Sequence, residues 1–291
     1  MKGSKQTGLT HIHVYTLVIY RMERETVACI IITACRSPRK DTEQQFSRFS
    51  INKIITLTRV MKQQAIPLQF DRNPQSKPLS NRRKQGLLTG LLAGMPSGFY
   101  INSLETGVNR NELQELLIAN PRVKNESSIT ETLNFLKDEG DRTAYTILLP
   151  YLSALADKEK QEEIIRERFF GIELFIRHSH NLNYFLTLIK QENPLSIGKE
   201  ELERGILAWD MGRLVNLARI AYETQNITKQ EAWKYIEFAE KKCRKSFANW
   251  EEIGKSYLLG QAMETADETK LRQTIAHFQL AIESEESPWR E

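Results

Sequence analysis

Residues 204–223 constrain the fold more than any other part of this 291-residue sequence. Folded as a helix, the segment would carry apolar side chains around about two-thirds of its surface. At about 100° per residue, one face collects Leu207, Met211, Leu214, Ala218 and Ala221. The positions left for solvent are Ala208, Gly212, Asn216 and Arg219. The segment therefore predicts a buried central helix surrounded by other helices.

A carboxylate lies inside this apolar arc. Asp210 falls between Leu217 and Ala221 on the helical projection, and Arg213 falls at the margin of the arc. An ionised carboxylate that is buried alone is strongly destabilising, so Asp210 needs a partner. Arg213, three residues further on, is the nearest candidate, and we predict that the two pair. The pair is either a structural ion pair or the mark of a functional carboxylate beneath a cleft.

A second amphipathic segment follows the predicted central helix. After the turn "ETQN", Ala232, Ile236, Ala239 and Cys243 recur at helical spacing. A short connection between two helices places them side by side in opposite directions. The sequence therefore predicts an antiparallel helical hairpin over residues 204–246.

Helix start and stop signals recur through the body of the chain, where no stretch alternates convincingly as a strand does. At four predicted helix starts, a short polar side chain that can cap free amides stands three residues before a glutamate. These caps are Asn109, Ser128, Thr228 and Asn249. Stops are predicted at Pro121, Gly140 and Pro194, and a break or kink at Pro150. Residues 86–291 are therefore predicted to form one compact, all-α, multi-helix domain.

The N-terminal residues 1–60 differ from the rest of the chain in composition and in their lack of helical periodicity. The segments 11–20 and 27–35 are β-branched apolar runs that look like isolated strands without pairing partners. Three interpretations remain open: a lipoprotein signal ending at Cys35, a β-rich accessory piece, or an over-extended gene start with translation beginning at Met61. The change of composition at Met61 favours the third interpretation.

Charge is distributed unevenly along the chain. The whole chain has a formal net charge of +4, yet residues 91–291 hold 25 basic against 32 acidic side chains. The predicted helical body lacks the clustered cations that displace counterions from nucleic acid, so we predict no nucleic-acid binding for it. The polar, proline-containing residues 61–85 predict a linker. No apolar run reaches the roughly 20 residues of a membrane helix, so no transmembrane segment is predicted.

Cysteine and histidine spacing predicts neither a disulfide framework nor a metal site. The three cysteines include no CxxC pair, which favours a reducing compartment and a cytoplasmic protein, with lipid anchoring through Cys35 as the alternative. His178 and His180 point to different helix faces, and His277 falls on the polar side of its helix, so all three are predicted at the surface. No cofactor is predicted.

Three C-terminal motifs resemble a known family. "AWDMGRLVNLARIAYETQNITKQEAW", "NWEEIGKSYLLGQA" and the terminal "SPWR" are similar to the bacterial domain-of-unknown-function family 1266, best over residues 205–290 and more weakly over 86–200. The resemblance implies fold and kinship, but no reaction. The family's recurrent positions fall on Trp209, Asp210, Arg213, Trp250, Gly254, Ser256, Trp289 and Arg290.

Two classes of function follow from these features. The first is a non-catalytic module that binds another protein, which suits an acidic, helical body. The alternative is a hydrolase or nuclease-like effector with Asp210 and Arg213 at its site, which would need a further acid such as Glu173 or Glu203. Ser256 is predicted to be a small residue at a helix contact rather than a nucleophile. Trp289 is predicted to dock back onto the fold near the central helix.

Overall fold

The computed structural model describes residues 17–22, 25–30, 70–154, 158–192 and 195–290. Backbone contacts divide the chain into two compact units, Met1–Gln64 and Ala65–Glu291.

In the N-terminal unit, the described residues form a two-stranded antiparallel sheet. Strand β1, Leu17–Met22, pairs with strand β2, Glu25–Ile30. The expectation of isolated strands is wrong, because each strand supplies the hydrogen-bonding partner of the other. Cys35 and Met61, on which the lipid-anchor and gene-start interpretations rest, lie outside the described residues.

The second unit is all-α over its described residues, as predicted. A 3₁₀ turn, Met95–Ser97, follows the second helix. The α-helices are α1 Asn81–Thr89, α2 Leu91–Gly94, α3 Arg110–Ala119, α4 Glu126–Asp138, α5 Arg142–Ala154, α6 Lys158–Arg168, α7 Glu173–Glu192, α8 Lys199–Arg204, α9 Leu207–Glu223, α10 Lys229–Ser246, α11 Trp250–Glu264 and α12 Glu268–Glu283.

Helix α9 is the predicted central helix, and it is buried more completely than predicted. It packs against α1, α2, α3, α4, α10 and α11, and its contact with α10 forms the predicted hairpin. The four positions assigned to solvent, Ala208, Gly212, Asn216 and Arg219, are all buried. The assignment was wrong because neighbouring helices and the 99–107 loop cover the polar side of the helix as well as the apolar side.

Arg219 shows how a cation is accommodated in this core. Its guanidinium donates hydrogen bonds to the carbonyls of Tyr100, Ser103, Leu104 and Glu105, at distances from 2.6 to 3.2 Å. Burial lowers the pKa of Arg219 to about 10, and the guanidinium therefore stays protonated at neutral pH. The side chain fixes the loop against α9.

Most of the predicted helix boundaries are found. Asn109, Thr228 and Asn249 cap α3, α10 and α11 by accepting a backbone hydrogen bond three residues on. The cap predicted at Ser128 is wrong. Asn125 caps α4, and Ser128 closes the capping box from the third helical position. A break or a kink was predicted at Pro150, and the break is wrong because helix α5 continues through this residue.

The described part of the segment predicted as a linker, residues 70–85, includes the start of a helix. Helix α1 starts at Asn81, capped by Ser80. Upstream of it, the Asp71 carbonyl accepts from the Ile101 amide at 2.9 Å, and the Asn102 side chain accepts from the Asn73 amide at 2.7 Å. The backbone groups of Asp71 and Asn73 are therefore paired with the 101–103 loop.

Among the residues that the structure describes, no helix combines the length and the hydropathy that crossing a membrane requires.

Candidate functional site

Asp210 is sealed inside the protein and is bound by the start of α5. It is 0% exposed, and its carboxylate accepts hydrogen bonds from the backbone N–H groups of Asp141 at 2.9 Å and Arg142 at 3.1 Å. The Arg142 guanidinium adds a third hydrogen bond, 3.0 Å long, from Nη1 to Oδ2. Since the first amides of a helix have no partner within it, Asp210 caps α5 from a neighbouring helix.

Arg213 binds a different carboxylate, so the predicted Asp210–Arg213 pair is wrong. The Arg213 guanidinium donates to Asp141 and lies over the Trp209 ring, 4.8 Å from its centroid. Asp141 also accepts from Arg122 at 2.7 Å and from the Trp209 indole at 3.4 Å. Proximity along one helix favoured Arg213, but the fold brings a distant segment with better-placed donors to Asp210.

Gly140 makes room for this contact, and it ends α4 as predicted. Its φ of +67° is accessible to glycine at little cost. A Cβ at this position would also lie 2.0 Å from Asp210 Oδ2. Next to it, Arg142 donates to the carbonyls of Leu136 and Lys137 at 2.8 and 2.9 Å. One network therefore joins the end of α4, the start of α5 and the buried face of α9.

The two aspartates of this network have opposite pKa shifts. Burial raises the pKa of Asp210 above its ordinary value, although the amides of Arg142 and Asp141 oppose the shift. Burial also acts to raise the pKa of Asp141, but the charges and hydrogen bonds of Arg213 and Arg122 outweigh it and hold this pKa low. Such a split occurs in catalytic acid–base pairs. Asp210, however, has no exposed surface that a substrate could touch.

The further acids that an enzyme would need are elsewhere. The side chains of Glu173 and Glu203 are 81% and 55% exposed and pair with Arg166 and Lys199, each at 3.6 Å. The structure therefore does not bring them to the sealed Asp210. Across the described ranges, no group of three or more His, Cys, Asp or Glu side chains is placed to hold a metal ion.

Trp250 and Trp289 form an aromatic corner. Their rings stack with centroids 5.2 Å apart and planes 6° from parallel. The Trp289 indole donates to the Leu88 carbonyl at 3.1 Å, so this tryptophan is held by α1 and α11, which both pack on α9. Gly254 permits the close approach of α12, because a Cβ there would lie 2.3 Å from the Phe278 ring.

Ser256 and Arg290 bind backbone groups at helix ends. The Ser256 hydroxyl donates to the Gly205 carbonyl at 2.8 Å and accepts from the Ala208 amide at 3.2 Å, where α8 gives way to α9. Arg290 is exposed and donates to the Glu283 carbonyl, 2.7 Å away, at the end of α12. Both residues therefore have contacts that account for them structurally.

Of the three histidines that were predicted at the surface, two are buried. The His178 ring N–H donates to the Met263 carbonyl at 2.8 Å, and the Asn181 amide donates to the same carbonyl at 3.1 Å. His277 is fully buried, and burial lowers its pKa to about 4. His180 is exposed, as predicted. The helical projection misplaced the other two because α11 packs against both α7 and α12.

The C-terminal half of α6, the start of α7 and the connection between them expose large apolar side chains that sequence reasoning did not single out. Phe170 is 95% exposed, and three neighbours in sequence are exposed with it. We refer to these residues as the apolar tip: Ile164, Phe170, Ile172 and Leu174. Soluble proteins expose single apolar side chains routinely, but grouped ones mark interaction sites.

Phe170 occupies a backbone position that glycine usually takes. Helix α6 ends in a Schellman motif, in which the Gly171 amide donates to the Arg166 carbonyl at 2.8 Å and the Phe170 amide donates to the Glu167 carbonyl at 3.3 Å. The motif requires a left-handed residue at Phe170, where φ is 52°. The sequence signal for this site was "RFFG", in which phenylalanine takes the first and glycine the second of two successive positions with positive φ.

The comparisons with known proteins identify a family. Residues 122–291, more than half of the chain, match the model of the family described as "Protein of unknown function (DUF1266)". No curated protein and no solved structure matches the chain.

Proposed function

Because the chain belongs to the DUF1266 family, which is described without a function, we propose a function from the chain's own surface. The protein is a non-catalytic helical module that binds another protein through the apolar tip. The cysteine usage of the sequence supports a reducing, cytoplasmic setting for this interaction.

The observation that carries the proposal is the conformation of Phe170. A bulky side chain in the left-handed region costs about 1–2 kcal/mol relative to ordinary helical backbone. Burial of the ring within the chain would offset that cost, but 95% of the residue is exposed. Strain combined with exposure is expected where an external contact uses the side chain.

The base of the tip is well packed, so Phe170 projects from a firm support. Phe169 stacks on Phe175 with ring centroids 4.5 Å apart and meets Tyr151 edge-on at 5.4 Å. These rings pack against a small core cluster of Leu148, Ile165 and Ile176. A side chain presented from such a base loses little conformational entropy when a partner covers it, which favours binding.

The charges near the tip favour a protein partner over an anionic membrane. Four glutamates, Glu162, Glu163, Glu167 and Glu173, stand beside three arginines, Arg166, Arg168 and Arg177. Arg166 is already engaged, by Glu162 at 3.0 Å and Glu173 at 3.6 Å. A helix that binds anionic lipid carries excess positive charge on its polar face. Balanced charge around an exposed aromatic anchor is instead typical of a protein interface.

Site-specific photocrosslinking tests the proposal. A benzoylphenylalanine replaces Phe170 in one protein and Ile118, which is 79% exposed on α3, in a matched control. We expect a crosslinked product with one other protein from position 170 and not from position 118. The proposal is wrong if both positions give the same products. It is also wrong if position 170 crosslinks only lipid, or only a second copy of the chain.

A further inference from the structure

A cavity of about 490 Å³ opens between α1, the C-terminal half of α10 and the start of α11. A second space of about 420 Å³ adjoins it, because Asn81, Gln85, Glu240 and Arg244 line both. Volumes of a few hundred cubic ångströms are typical of sites for small organic ligands. This region is independent of the apolar tip, and it includes Trp250, one of the residues in the family resemblance.

The larger cavity has an apolar wall. Phe247, Trp250, Ile253 and Cys243 line it. Burial, together with the charge of Glu240, raises the pKa of the Cys243 thiol to about 12, so this cysteine stays protonated and acts as part of the apolar surface. Trp250 is held in place by its stacking on Trp289. The wall is therefore suited to a flat or branched hydrocarbon group.

The adjoining space is lined by cations. Arg82, Lys241 and Arg244 line it beside one carboxylate, Glu240. Arg82 is only loosely paired, since the nearest oxygens of Glu237 and Glu240 are both 3.6 Å away, beyond hydrogen-bonding distance. Arg244 donates one hydrogen bond, 2.7 Å long, to Glu240, and its side chain is otherwise largely exposed. The charged side chains that line this space are therefore three cations and one carboxylate, which leaves an excess of positive charge.

Glu240 positions these cations. It is 6% exposed, and one of its oxygens is buried without a hydrogen-bond partner among the described residues. The 2.7 Å hydrogen bond that Arg244 donates to Glu240 fixes the orientation of this guanidinium.

We propose that this cavity binds a small amphipathic organic anion. Its carboxylate or phosphate group lies between Arg82 and Arg244, and its apolar body lies against Phe247, Trp250 and Ile253. Phosphate and carboxylate share the recognition chemistry, because guanidinium groups bind both with paired N–H donors.

Isothermal titration calorimetry on the full chain tests the proposal with three matched probes: naphthylacetate, naphthyl phosphate and the neutral naphthylacetamide. We expect one site per chain, and at least one of the two anions to bind about tenfold or more tightly than the amide, the size expected for a charged hydrogen bond. The tighter anion identifies the head group. Equal affinity for all three probes overturns the proposal, as does the lack of any binding at millimolar concentration.

Charge variants test the roles of the side chains. Arg82→Gln and Arg244→Gln should each weaken anion binding about tenfold without changing amide binding, whereas the control Arg166→Gln on the distant α6 should leave both unchanged. Glu240→Gln should strengthen anion binding roughly threefold, because it removes the competing negative charge while the glutamine oxygen can still accept the hydrogen bond from Arg244. If Glu240→Gln unfolds the protein, the anion affinities of Arg82→Gln and Arg244→Gln still test the proposal. Unchanged anion affinity in both arginine variants contradicts the proposal.

Discussion

The central helix α9 and the apolar tip differ in what they bury and expose. Inside, α9 holds Asp210 and Arg219, whose charged groups meet backbone amides, carbonyls and an ion-pair partner. At the surface, Phe170 lies outside the apolar clusters formed by the described residues, in a conformation that a phenylalanine rarely adopts. The charged groups of α9 have hydrogen-bond partners within the chain, whereas the Phe170 ring is almost fully exposed to solvent.

This difference distinguishes a residue that stabilises the fold, Asp210, from one that we propose binds a partner, Phe170. Asp210 attracts attention in the sequence because a charge in a buried helix is costly, but the amides of Asp141 and Arg142 and the Arg142 guanidinium offset part of that cost. Phe170 attracts none, because one more phenylalanine in an amphipathic segment is ordinary. In the folded chain, Phe170 is the more conspicuous of the two residues. Phe170, which is 95% exposed, is the residue that we propose contacts a partner.

The largest expected effect is at Asp210. Asp210→Asn keeps the volume but removes the charge that two amides and Arg142 bind, so we expect the free energy of unfolding to fall by about 3–5 kcal/mol. Urea denaturation followed by circular dichroism measures it. The same change at the exposed Glu203, Glu203→Gln, is the control and should alter stability by less than about 0.5 kcal/mol. Equal effects of the two variants would show that the buried network does not stabilise the fold.

A smaller effect, set by pH, is expected at His277. Burial holds its pKa at about 4, below its ordinary value of 6.5. Between these values the unfolded chain binds a proton that the native chain does not, so this residue lowers stability as pH falls from 6.5 towards 4. The expected loss is about 3 kcal/mol. Urea midpoints at several pH values measure it.

His277→Leu is the variant for the pH experiment. It removes the titrating group and two ring nitrogens that have no hydrogen-bond partner among the described residues. The stability of His277→Leu should therefore depend less on pH than that of the wild type over this window. If the two curves run parallel, His277 is not buried in its neutral form, and α12 is packed differently from the structure.

The smallest expected effect has the opposite sign. Phe170→Gly places glycine at the left-handed position of α6, and we expect the free energy of unfolding to rise by roughly 0.5–1 kcal/mol, the strain relieved less the extra entropy of unfolded glycine. Gln225, at the equivalent left-handed position after α9 with φ 67°, is a matched control for backbone strain. Gln225→Gly should stabilise by a similar amount. A fall in stability for Phe170→Gly alone would mean that the ring makes internal contacts.

Local features of the fold were predictable because they depend on neighbours in sequence. The Thr228 cap and the Gly140 stop need only a few adjacent residues, and both are found. The Ser128 cap failed for a local reason as well. Asn125, Ser128 and Glu131 repeat the cap spacing twice, and the sequence does not say which polar residue begins the helix.

The long-range contacts were not predictable from one sequence. The partner of Asp210 lies 68 residues away in the chain, at the start of another helix. Arg219 looked exposed because the loop that covers it carries no pattern that places it over α9. The apolar tip was missed because helical periodicity assigns side chains to faces, but it does not show that a face has nothing packed against it.

Partner recovery by the Phe170→Gly protein tests the central claim most directly. Tagged wild type, Phe170→Gly and Gln225→Gly are purified from the same cells, and the amount of the protein that crosslinks at position 170 is measured in each by quantitative mass spectrometry. The account predicts that Phe170→Gly loses this partner although it is at least as stable as wild type, while Gln225→Gly keeps it. Wild-type recovery of the partner by Phe170→Gly would contradict the account.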